Sequence, residues 1–149
     1  MLRKITLSKI HEYFSFIDEI SKPLGRVLVA QVFLILGYRK VINYEETAGW
    51  MDSMGVSSSL LPLVIVVEIF GSLGLILGWK TRVCAVLLCG YCFLTALLFH
   101  TNFLDPMQQI SFMKNIALSG ALLYIFANGA GKFSLDNRNV SAEEYDGKD

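Results

Sequence analysis

Hydrophobic positions along this chain fall into four long runs separated by short polar stretches, and the cleanest of them covers residues 60–79. Its twenty residues carry a single charge, Glu68, near the middle. A helix of that length rises about 30 Å, the thickness of a bilayer's hydrocarbon core. Three further runs, 24–42, 83–103 and 107–127, have the length and apolar character of spans as well. The pattern predicts an all-α, integral membrane, four-helix transmembrane bundle.

Helical phase says which side of each span faces protein. At about 100° per residue, Gly71, Gly74 and Gly78 fall within about 120° of Glu68, so the carboxylate and the glycines share one arc. Gly74 and Gly78 have the GxxxG spacing that lets helices approach closely in lipid. In the first span Arg26, Ala30, Phe33, Gly37 and Lys40 share a face, while Arg39 points away and can snorkel. In the third, Ala85, Cys89, Cys92, Ala96 and His100 lie within an arc of about 80°. Gln108, Ser111, Lys114, Asn115 and Ser119 occupy one side of the fourth.

The segments between and around the spans are read from their punctuation. Residues 1–22 place apolar side chains at ragged helical spacing among Arg3, Lys4 and Lys9, which predicts an N-terminal amphipathic, interfacial helix ending at Ser21-Lys22-Pro23. Residues 23–136 form the four-span domain. Residues 43–59 make a polar connector with Trp50 and Tyr44 as interface anchors, and the serines 57–59 stand ready to cap the second span. Gly129 and Gly131 stop the last helix, and residues 137–149 read as a mobile polar tail.

Composition agrees with this picture: 54% of the residues are hydrophobic and the mean hydropathy is +0.51. Thirteen basic and thirteen acidic residues cancel, which removes the long-range field expected of a nucleic-acid binder. The three cysteines share one apolar run, so they are no disulfide framework, and Cys89-x-x-Cys92 in mid-helix lacks the setting that activates such thiols. No secretory signal is expected, because charges interrupt the first twenty residues. Lys9, Lys22, Arg26, Lys80, Arg82, Lys132 and Arg138 flank one side of the spans, which places both termini in the cytoplasm by the positive-inside rule.

With that orientation Glu68 and Lys114 lie at comparable depths, roughly 10 to 13 Å from the outer ends of their spans. His100 and Lys40 sit nearer the outer surface. Lys40, Glu68, His100, Lys114 and Asn115, from four helices, are therefore expected to converge in the outer half of the bundle. Intramembrane charges normally pair or mark a site. One reading is a charge-paired bundle in which Glu68 holds Lys114 or Lys40 and fixes which helices pack. The other is a ligand pocket for a polar headgroup such as a quinone, or for a small anion. No metal site is expected, since no spaced His or carboxylate pair accompanies His100 and Glu68. Walker, dinucleotide-binding and nucleophile-elbow motifs are absent from the sequence.

Gly37-Tyr38-Arg39-Lys40, the stretch 47–55, the run 63–74 with Glu68, Leu97-Leu98-Phe99-His100, Phe112-Met113-Lys114-Asn115 and the closing run 129–136 together resemble the DoxX family of bacterial inner-membrane proteins. The resemblance covers about residues 24 to 136 in the family's order. It implies a four-helix membrane protein and, by analogy with the family's namesake, a subunit of a thiosulfate:quinone oxidoreductase that works with a redox partner or as a homo-oligomer. Quinone is the cofactor so implied. Lys40, Glu68, His100, Lys114 and Asn115 match family positions, whereas Tyr38 and Arg39 stand where the family often has Trp and Gly.

Overall fold

The computed structural model describes residues 2–138, with side chains from residue 13 onward. Five α-helices follow one another: α1 Leu2–Ile42, α2 Tyr44–Ser53, α3 Leu61–Leu77, α4 Thr81–Phe99 and α5 Pro106–Asn128. A 3-10 turn, Ser58–Leu60, leads into α3. Four stretches are long and apolar enough to cross a membrane: Tyr13–Ile42, Ser58–Leu77, Thr81–Phe99 and Pro106–Asn128. The protein is an all-α membrane bundle. In it α1 packs along α3 and α4 along α5, with α3 against α4 joining the two pairs.

The break expected at Ser21-Lys22-Pro23 does not occur, and α1 runs through Pro23 as one helix. Proline removes one amide donor, which frees the Glu19 carbonyl. At 41 residues α1 is about 60 Å long, twice the hydrocarbon thickness, so part of it lies where water can reach that carbonyl. The third span is shorter than the run 83–103 suggested, since α4 ends at Phe99 with His100 as its C-cap. Asn102 Oδ1 accepts from the Leu104 amide (3.3 Å), and Asp105 Oδ1 accepts from the Met107 amide (2.9 Å). These local bonds compete with helix continuation and start α5 at Pro106.

The polar connector 43–59 is mostly helix. Its serines act one step earlier than expected, because Ser57 Oγ accepts from the Ser59 amide and caps the 3-10 turn, whereas α3 has no side-chain cap. Trp50, read as an interface anchor, stacks on Phe99 with ring centroids 4.7 Å apart. That contact pins α2 across the end of α4.

Small side chains set the helix spacing. Ala30, Ala85, Cys89 and Cys92 are buried around Phe33, Leu75, Leu88 and Leu122, and Ala96 is buried as well. Gly71 faces Leu88 and Gly74 faces Cys84, both across the α3–α4 contact. Gly78 packs closely too, against Arg26 of α1 and Ser134. It ends α3 in the left-handed conformation (φ 66°), with the Trp79 amide bonded to the Gly74 carbonyl (2.8 Å). A Cβ there would overlap Arg26 and Ser134.

Beyond α5 the chain folds back over this same end of the bundle. Buried Arg26 donates through Nη2 to the Phe133 carbonyl (2.7 Å). Asp136 caps α4, accepting from the Lys80 amide (2.7 Å) and the Thr81 amide (2.9 Å), while its own amide donates to the Gly78 carbonyl (2.8 Å). Burial pushes the Asp136 carboxyl up, but the Thr81 and Lys80 amides and the Lys80 charge pull harder and hold it below the ordinary carboxylate value. Lys132 pairs with Glu19. Of the expected tail 137–149, residues 139–149 lie outside the described residues.

Candidate functional site: a polar cavity beneath helix 2

At the other end of the bundle the five converging residues come together around one cavity. The helix phase of α1 places Lys40 one turn after Gly37, and at Gly37 α1 and α3 approach closely. A Cβ on Gly37 would lie 2.9 Å from Ile69 Cγ1 and 3.1 Å from Glu68 Cβ. This contact brings Lys40 Nζ to both carboxylate oxygens of Glu68, at 2.8 and 2.9 Å. Glu68 is fully buried, and the Lys40 side chain is 21% exposed. The carboxylate's partner is thus the Lys40 ammonium, not Lys114. On the α4 side the Tyr91 phenol is near enough to interact with Glu68 too.

Lys40, His100, Lys114 and Asn115 all line a cavity of about 240 Å³, with Glu68 immediately behind Lys40. His100 reaches it from the end of α4, where Nδ1 and Gln108 Oε1 are 2.7 Å apart. An amide oxygen only accepts, so this bond assigns the proton to Nδ1 and leaves Nε2 as an acceptor in the neutral ring. Ser111, Lys114, Asn115 and Leu118 come from successive turns of α5. Asn115 is 8% exposed, and among the described residues its side-chain amide has no protein hydrogen-bond partner; Lys114 is exposed and has no counter-ion there.

This donor set can do specific chemistry. Lys40 is already neutralised, so the free positive charge belongs to Lys114, with the Asn115 amide beside it in sequence and on the same cavity wall. A group bearing acceptor atoms, charged or neutral, satisfies both. The remaining walls are largely apolar or aromatic, including Phe33, Leu36, Met51 and Val64, as ligand cavities usually are.

Sequence reasoning missed part of this wall. Tyr91, Thr95 and Phe99 lie four residues apart on one stripe of α4, a spacing visible in the chain but overshadowed by the small-residue face next to it. Thr47, Trp50 and Met51 gave no signal, because only the placement of α2 over the cavity brings them in. Arg26 stands apart, at the opposite end. The three cysteines are free and buried, and Cys89 Sγ donates to the Ser119 carbonyl (3.7 Å).

The sequence profile of the DoxX family matches residues 22–101. Inner membrane protein YqjF of Escherichia coli K12 is 36% identical over 120 residues, covering 80% of this chain and 92% of that protein. Inner membrane protein YphA of the same organism is 32% identical over 122 residues, covering 77% of this chain and 87% of that one. No solved structure matches the chain.

Proposed function

The chain belongs to the DoxX family, and from that premise we infer that it is an inner-membrane ligand-binding protein whose cavity takes the polar head of a quinone or a small anion. On this reading it serves as a redox-associated subunit, acting with a partner and not alone. One observation carries the reading: Lys114 and the buried Asn115 amide line a cavity and have no protein partner among the described residues. Lys114 is an exposed residue and Asn115 a buried one, so a ligand bearing acceptor atoms in the cavity gains a charge-assisted hydrogen bond from the first and an amide bond from the second. The cavity belongs to the outer half of the bundle, with both termini cytoplasmic, because Lys22, Lys80, Arg82 and Lys132 cluster at the opposite end.

Mass spectrometry of lipophilic and anionic molecules that co-purify with the delipidated protein tests this directly. A bound molecule is expected in the wild type, with occupancy down about tenfold in Lys114→Met, the loss of one charge-assisted bond. A wild-type protein that carries no such molecule, or equal occupancy in both, refutes the pocket. A second reading, a non-catalytic scaffold or stress-response protein, is favoured by the closed Lys40–Glu68 pair, which needs no ligand. It predicts that Glu68→Gln lowers thermal stability and that the wild type carries no tightly bound molecule.

A further inference from the structure

The polar cavity shares wall residues with two other openings. Met51, Val64, Tyr91, Thr95 and Phe99 are also walls of an apolar groove of about 490 Å³ between α3 and α4, which runs down to Val86. Its sides include Leu63, Val86, Leu94 and Leu98, all exposed and therefore on the lipid-facing surface of the bundle. On the other flank Leu36, Lys40, Thr47 and Trp50 are shared with a polar cleft that adds Arg39, Asn43 and Glu46. Lys114 thus lines a chamber flanked by an apolar groove on one side and a polar cleft on the other.

The groove spans α4 from Val86 to Phe99, about 20 Å of helix. Spread over that length, its volume leaves a section of about 25 Å². That is enough for a hydrocarbon chain. The charge balance of the chamber is equally specific. Glu68 neutralises Lys40, His100 is hydrogen-bonded to a neutral amide, and Lys114 is left with an uncompensated charge among the described residues.

A neutral quinone fills the groove and accepts hydrogen bonds from Lys114 and Asn115, but brings no charge to balance the ammonium. A free small anion answers Lys114 but leaves the groove empty. We propose that the ligand is a single-chain acidic amphiphile, a long-chain carboxylate, which enters sideways from the lipid. Its carboxylate is held by Lys114 and Asn115, and its chain lies in the α3–α4 groove. The proposal rests on the reading of the cavity as a binding site. Because lipid tails are as apolar as the groove, the chain gains little simply by leaving the bilayer. Selectivity then comes from the charge at the head.

Trp50, on the cavity wall, is a built-in reporter once the chain's other tryptophan is removed by Trp79→Phe. In non-ionic detergent, stearate brominated at carbons 6 and 7 is expected to quench Trp50 saturably. Its methyl ester and the short acid 2,3-dibromopropionate should need at least about tenfold higher concentrations. Lys114→Met is expected to weaken quenching by the long acid about tenfold. Gly90 lies in the groove with open space where its Cβ would be, so Gly90→Phe puts a ring into the groove and should have a similar effect. Gly120→Phe, equally open but away from the groove, should change nothing.

Each alternative outcome overturns a different part. If the ester quenches as well as the acid and Gly90→Phe abolishes both, the head is neutral and the carboxylate proposal fails. Quenching that needs Lys114 but ignores chain length and Gly90→Phe removes the groove and returns the ligand to a free anion. Unsaturable quenching, identical in the wild type and every variant, overturns the cavity as a binding site and the preceding functional reading with it.

Discussion

Glu68→Gln removes a charge while keeping the side chain's shape, and so isolates what the buried ion pair contributes. The wild-type carboxylate is fully buried and receives Lys40 Nζ at 2.8 and 2.9 Å. Breaking a buried pair by losing one partner typically costs 3–5 kcal/mol, because the other charge is left uncompensated. Here that figure falls, since the Lys40 side chain is 21% exposed and sits two residues from the end of α1, within reach of the interface. We therefore expect Glu68→Gln and Lys40→Met each to destabilise the bundle by about 2–3 kcal/mol. The double variant Lys40→Met with Glu68→Leu should recover most of the loss, because well-packed apolar residues often replace a buried pair without penalty. The assay is unfolding in detergent micelles of the wild type, Lys40→Met, Glu68→Leu and their double variant, analysed as a double-mutant cycle, with Glu68→Gln measured alongside. A coupling within about 0.5 kcal/mol of zero would refute the claim that the pair holds α1 to α3.

Gly37→Val places its Cβ 2.9 Å from Ile69 and should cost about 1–3 kcal/mol by overpacking the α1–α3 contact, read as a lowered unfolding midpoint. Gly78→Ala strains a left-handed residue and crowds Arg26 and Ser134, so a comparable loss is expected, whereas Gly90→Ala, with open space at its Cβ, should stabilise by about 0.5–1 kcal/mol. Asp136→Asn should cost about 1 kcal/mol by weakening the cap on α4. Its folded pKa is depressed, so this stabilisation is present above about pH 4 and is lost as pH falls through the lower folded value. Unfolding curves of wild type and Asp136→Asn should accordingly converge in acid; a difference that grows there would contradict the capping role. Trp50→Ala should loosen α2 from α4, visible as faster amide exchange across Tyr44–Ser53, and unchanged exchange would count against the stack with Phe99 as its anchor.

The four spans were legible in the sequence because lipid leaves little choice: a run of about twenty apolar residues must satisfy its backbone internally, and a helix does so. Helical phase, which depends only on residue spacing, was enough to put Glu68 with Gly71 and Gly74, Ala85 with Cys89, Cys92 and Ala96, and Lys114 and Asn115 on one side of α5. Phase and depth together also brought Lys40, Glu68, His100, Lys114 and Asn115 to one region. These are local quantities, fixed by the covalent chain and its orientation in the membrane.

Pairing is not local. Whether Glu68 takes Lys40 or Lys114 depends on which helices touch, and the close approach at Gly37 decides for Lys40. The same holds for Trp50, whose place on the cavity wall follows from α2 lying across Phe99, and for Gly78, whose spacing suits packing but whose backbone ends a helix. The course of residues 129–136, tied down by Arg26 and Asp136 across more than fifty positions of sequence, leaves no trace in any periodic pattern. Sequence by itself determined the spans and their polar faces, since both arise within single helices; only the tertiary structure decided which charge was answered and which, Lys114, was left open.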